Sequence, residues 1–109
     1  MAERNAPPLA VELAARFAEI LSGEIRIEKV ILFGSYAKGE SHRDSDIDIA
    51  VVSPDFTGDR LEDQLRLMKS RRKVDLRIEP IPFRPEEFTN DNPFVREIMD
   101  TGTLVSFTR

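Results

Sequence analysis

The sequence predicts an α+β domain, a small mixed β-sheet flanked by helices. Three observations predict it. Apolar residues recur at helical spacing near both ends of the chain and once in the middle. Between those stretches lie segments that are continuously apolar or alternate with period two, as strands do. The first two such segments are separated by a run too short for a helical crossover, so they are expected to pair antiparallel. At 109 residues the chain is long enough for one core and too short for two. Residues 1–109 are therefore read as a single domain, with 1–7 as a loose polar tail.

Each element has its own signal. Leu9, Leu13, Phe17, Ile20 and Leu21 give an amphipathic helix over 8–22, which Gly23 stops. Residues 27–33 end in an unbroken apolar run and read as a strand covered on both faces at its far end. Gly34-Ser35 breaks it, and the small, polar residues 35–45 around Gly39 read as a helical turn and a loop. Residues 46–52 alternate with period two and form a second strand, with Ile47, Ile49 and Val51 on its buried face. After a turn at 54–58, Asp59 and Glu62 resemble a capping box, and Leu61, Leu65 and Met68 mark the apolar stripe of a helix near 59–71. A third strand is expected over 73–79, where Val74, Leu76 and Ile78 alternate with Asp75, Arg77 and Glu79. A proline-rich stretch follows, with Pro80, Pro82 and Pro85. Asn92-Pro93 starts a last helix and Gly102 stops it, with Phe94, Val95, Ile98 and Met99 as its apolar face. Residues 103–107 read as a short final strand. Phe83, Phe88 and Phe94 are read as core or subunit contacts.

Composition excludes several classes of function. The chain has no cysteine, which removes disulfides, thiolate nucleophiles and cysteine zinc sites. Its single histidine, His42, removes any His-pair metal site and reads as a solvated loop residue. Acidic residues number 20 against 16 basic, a net charge of −4, so nucleic acid is not expected as a direct partner. No apolar run approaches the ~20 residues that span a bilayer. No basic start followed by an apolar stretch marks a secretory signal, so a cytoplasmic location is expected.

The chemistry concentrates in 34–48. Residues two apart on a strand share a face, so Asp46 and Asp48 lie abreast, about 6.5–7 Å apart at Cα. Asp44 adds a third acid just ahead, with Arg43 beside it. Hard oxygen donors with no histidine or cysteine suit Mg²⁺ or Mn²⁺. Gly34 lets the chain turn sharply, and Ser35 opens a helical turn whose hydroxyl and N–H groups suit a phosphate. Ser35 as a plain helix cap is the structural alternative. A phosphate seat beside paired carboxylates describes a metal–nucleotide site, with two ions bridging triphosphate oxygens. Asp75 is the candidate third ligand, on the same face if its strand neighbours the second. Lys38 and Arg43 are in reach of triphosphate oxygens or are simply solvated.

The pattern Gly34-Ser35, Ala37, Gly39, Ser45-Asp46-Ile47-Asp48, with Lys73-Val74-Asp75-Leu76 downstream, resembles the signature of the DNA polymerase beta-like nucleotidyltransferase superfamily. The small size resembles its minimal, MntA-like branch, and the resemblance covers about residues 27–80. It implies the nucleotidyltransferase fold, ATP as substrate, two Mg²⁺ ions and transfer of AMP. It implies Asp46, Asp48 and Asp75 as catalytic and metal-binding residues, and Gly34, Ser35 and Ser45 as nucleotide-binding residues. It also implies a HEPN-type toxin as partner in a hetero-oligomer, silenced by AMP added to a tyrosine, with this chain as the antitoxin of a type VII pair. Length agrees, since nothing in the chain remains to hold an acceptor. The rival reading is a non-catalytic module that neutralises its partner by covering it. The basic cluster Lys69–Lys73 either complements a helix C-terminus or contacts an acidic or RNA-loving partner.

Overall fold

The computed structural model describes residues 8–39 and 45–108. His42, Arg43, Asp44 and the tail read over 1–7 lie outside the described residues. Helix α1 spans Pro8–Ser22 and strand β1 Lys29–Phe33. A single turn, α2, spans Ser35–Lys38, and strand β2 spans Ile47–Val52. Helix α3 spans Arg60–Arg71, strand β3 Ile78–Phe83, helix α4 Pro93–Thr101 and strand β4 Thr103–Leu104. A 3-10 turn at Pro85–Glu87 joins β3 to α4.

The four strands form one sheet in the order β3-β2-β1-β4. The short α2 connection makes β1 and β2 antiparallel, with Phe33 opposite Asp48. β2 and β3 are parallel, which requires a crossover, and α3 supplies it. The alternation of β2 sends Ile47, Ile49 and Val51 into one core with Phe17, Leu21 and Leu67 from α1 and α3. It sends Ala50 and Val52 into a smaller cluster on the other face of the same sheet, with Phe33, Phe83, Phe88, Val95 and Ile98 on the α4 side, so the buried residues divide between two faces where one core was expected. Asp48 has the parity of this second face. Within it Phe83 meets Phe88 edge-on at 5.2 Å and Phe33 meets Phe94 at 5.7 Å. Of the expected apolar face of α4, Val95 and Ile98 are buried while Phe94 and Met99 stay exposed.

Two expectations are corrected. The third strand runs over Ile78–Phe83 and not over 73–79. Asp75 lies in the turn before it: its carboxylate accepts the Arg77 backbone N–H at 2.8 Å, and its own N–H donates to the Arg71 carbonyl. An aspartate that bonds the chain two residues on makes a turn that competes with extended pairing. The prolines at 80 and 82 are tolerated because β3 is an edge. The Ile47 N–H donates to the Arg77 carbonyl and the Ser53 N–H to the Phe83 carbonyl, so odd-numbered residues face β2. Pro80 and Pro82 then present their missing donors to the outside, which also blunts the edge.

The second correction concerns α3. Its buried residues are Asp63, Leu67 and Ser70. Leu61 and Leu65, read as the apolar stripe, are 69% and 59% exposed. Polar contacts set this rotation. The buried Asp63 carboxylate accepts the Thr57 N–H at 2.9 Å, the Thr57 hydroxyl at 3.0 Å and the Gly58 N–H at 3.0 Å. Gln64 donates to the Pro80 carbonyl at 2.8 Å, and Arg71 to the Ile78 carbonyl at 2.9 Å. Turning the leucines inward would break all of these.

Asp63→Ala therefore removes three hydrogen bonds to the Thr57–Gly58 turn, and we expect a loss of about 1–2 kcal/mol in urea unfolding. Leu61→Ser, at an exposed site, is expected to stay within about 0.5 kcal/mol of the parent.

Candidate functional site

The site is built where β1 ends. Gly34 has φ 76° and ψ −151°, a combination closed to residues with a Cβ. A Cβ there would also collide with the Asp48 carboxylate. The turn and the acid thus share one space, which only the bare Cα leaves free. Gly34 itself occupies the cap position of α2, so Ser35 is the first helical residue and not its cap. Gly39, at φ 75°, closes this one-turn helix, and the buried Tyr36 and Ala37 anchor it to the core.

Asp48 projects from β2 with Phe33 on one side and Glu79 on the other in the pairing register. Its carboxyl is pushed up from 3.8 to about 6, first by burial, then by the negative charges of Asp46 and Glu79. Asp46 stands one residue ahead of β2 and is exposed, and Ser45 before it is half-buried. Glu79 was not singled out by the sequence reading. It enters the row because β3 begins later than its alternation suggests. Arg71 holds the Glu79 carboxylate at 3.2 Å, tying the row to the last turn of α3.

Asp75 is not in this row. Both of its oxygens are engaged by Arg77: Oδ1 accepts Nε at 3.0 Å and Oδ2 accepts an η nitrogen at 2.9 Å. Those hydrogen bonds hold its carboxyl below the usual carboxylate range. Arg77 also engages the Tyr36 side chain, so the pair braces α2 against the start of β3.

Among the described residues no three side chains of histidine, cysteine, aspartate or glutamate converge into a ready-made metal cluster. The arrangement still fits a hard divalent cation. A half-buried carboxylate crowded by two others is relieved by positive charge, and all the donors are oxygen. An ion such as Mg²⁺ takes one or two carboxylates from a protein and completes its shell with waters and phosphate oxygens, so no closed cage is required.

The profile of the nucleotidyltransferase domain matches residues 14–105. Two proteins of Methanocaldococcus jannaschii, both named as protein adenylyltransferases, are similar along nearly their whole length. One is 28% identical over 85% of this chain and 90% of its own. The other is 27% identical over 87% of this chain and 97% of its own. Among solved structures, a nucleotidyltransferase structure from Sulfolobus solfataricus superposes with TM-score 0.64 at 23% identity, over 88% of this chain and 78% of that one. A toxin–antitoxin structure with AMP-PNP gives TM-score 0.56 at 22% identity, over 91% of this chain and 74% of that one. A doubly substituted mutant of the MntA–HpeT toxin–antitoxin pair gives TM-score 0.53 at 23% identity, over 86% of this chain and 73% of that one. At those identities the likeness is one of fold.

The raised carboxyl of Asp48 makes a stability prediction for the metal-free protein. The folded chain holds this proton more tightly than the unfolded chain, so stability falls as pH rises from 3.8 to about 6, and the deficit persists above that. Asp48→Asn is expected to raise the melting temperature at pH 7.5 by a few degrees. That corresponds to on the order of 1 kcal/mol after solvent screening of a half-exposed group. At pH 4 the gain should vanish. Thermal melts in EDTA at the two pH values check this.

Proposed function

We propose that this chain, which belongs to the nucleotidyltransferase domain family, transfers AMP from ATP to a hydroxyl of a partner protein: the hydroxyl oxygen bonds to the α-phosphorus, the bond to the β-phosphate breaks and pyrophosphate leaves. The reading rests on one observation: a carboxylate pressed into the bare Cα of the Gly34 turn, in register with a second acid on β3. Asp46, Asp48 and Glu79 would hold the Mg²⁺ ions, with Glu79 in the position the sequence resemblance gave to Asp75. When bound, the metal supplies charge neutralisation on the triphosphate and on the attacking and leaving oxygens. The Gly34–Ser35 turn and Ser45 would receive the phosphates through backbone N–H groups and hydroxyls. A cation bound there would hold the Asp48 carboxylate charged, so in the loaded site this group serves as a ligand. Asp75 acts on structure, holding Arg77 and through it Tyr36.

The acceptor we propose is a tyrosine of a HEPN-type toxin, with this chain as its cytoplasmic antitoxin. Two things support it: relatives named as protein adenylyltransferases, and a fold shared with toxin–antitoxin structures, one of them holding AMP-PNP. A second reading, neutralisation by binding alone, draws on the lack of a converged three-acid cluster among the described residues.

Incubation with α-³²P-ATP, Mg²⁺ and host lysate separates the two. The native chain should label a protein band. Asp48→Asn should reduce labelling by about 10³-fold and Glu79→Gln by at least about tenfold. Asp75→Asn should stay within about threefold of the parent once compared at a temperature where both are folded. Loss of labelling in Asp75→Asn with none in Glu79→Gln would return the third ligand to Asp75. No band with any chain, together with retained partner binding, would favour the binding module.

A further inference from the structure

The outward side of α3 carries the apolar residues that its inward side lacks. Leu61, Leu65 and Met68 recur at spacings of four and three, the seam spacing of helices that pack on one another. They lie across the helix from the buried Asp63, Leu67 and Ser70. A helix that buries two polar residues and exposes two leucines has its strongest apolar stripe outside the fold's own core, and that inversion marks contact with another molecule. Leu65 and Met68 line a shallow groove with Arg66, Lys69 and Arg72, and Glu62 is the one acid among its lining residues. Lys73 extends the positive rim along an adjoining groove, where Glu24 is the one acid beside Arg66, Lys69 and Lys73. A chain of net charge −4 thus gathers cations around its exposed stripe.

Charge and composition choose the occupant. A second copy would set the same cations face to face, which opposes association. A nucleic acid strand would meet leucine and methionine where it needs aromatic stacking platforms, and α3 contains no aromatic residue. An acidic amphipathic helix satisfies both features. We propose that the outer face of α3 docks an amphipathic helix of a partner protein. The partner's apolar seam covers Leu61, Leu65 and Met68, and its flanking acids meet Arg66, Lys69 and Arg72. α3 and Asp48 lie on opposite faces of the sheet, so a helix seated here leaves the acidic row open. The inference goes beyond the transferase reading and is independent of it, because docking uses neither nucleotide nor any residue proposed for transfer.

The test places a photo-crosslinking benzoylphenylalanine at position 65 of the full chain in its host, with one at Glu12 on α1 as control. The crosslinked segment is sequenced by mass spectrometry. The expected result is one segment with helical apolar spacing and net negative charge, crosslinked from position 65 and not from position 12. A synthetic peptide of that segment, titrated without nucleotide, should bind about tenfold more weakly to Leu65→Ser and to Lys69→Glu, both with native circular dichroism. Raising the salt should weaken binding to the parent and have less effect on Lys69→Glu. A crosslink to this chain itself, to RNA or to an uncharged segment would overturn the proposal. So would no crosslink above the control, or equal affinity in both variants.

Discussion

The contact between the Asp48 carboxylate and the bare Cα of Gly34 governs the arrangement of the site. It joins the end of β1 to the start of β2 across their antiparallel pairing, with Phe33 opposite Asp48. The left-handed φ of Gly34 and the absence of a Cβ are both needed, one for the turn into α2 and the other for the acid's place. The rest of the sheet holds that contact in register. Apolar residues fill both faces around it, so neither strand can slip without moving its whole side-chain set to the wrong face.

Around this contact the protein brings together charges that repel. Asp46 and Glu79 both raise the affinity of Asp48 for a proton, and burial raises it further. A fold selected for stability alone would not keep such a row. Its presence beside the Gly34 turn is what a bound cation would reward. The nearby cations are arranged differently. Arg77 is committed to Asp75, and Arg71 to Glu79 and to backbone carbonyls, so both brace the scaffold around the row.

Much of this was legible in the sequence. Gly34-Ser35 followed by Ser45-Asp46-Ile47-Asp48 marked the stretch in which the structure sets the Asp48 carboxylate against the Gly34 turn, and the short connection foretold the antiparallel pairing of β1 with β2. What was not legible was decided by non-local contacts. The alternation from Val74 onward suits a strand in either of two placements. Only the Asp75–Arg77 turn and the pairing of Ile78 with Ile47 choose the later one, and with it Glu79 in place of Asp75. Pro80 and Pro82 read only as part of a proline-rich stretch after the strand, because a sequence does not say which strand is an edge. In α3 the apolar stripe was visible, but its direction was set by Asp63, whose partners lie in the preceding loop. The same helix shows that the strongest apolar stripe need not face the chain's own core.

The most direct measurement is a ¹³C NMR titration of the Asp48 carboxyl in the metal-free chain, in the Glu79→Gln variant and in the Asp75→Asn variant. A midpoint of about 6 that falls in Glu79→Gln and holds in Asp75→Asn would establish the row as described. A midpoint near the ordinary 3.8, or one that moves with Asp75 and ignores Glu79, would contradict it.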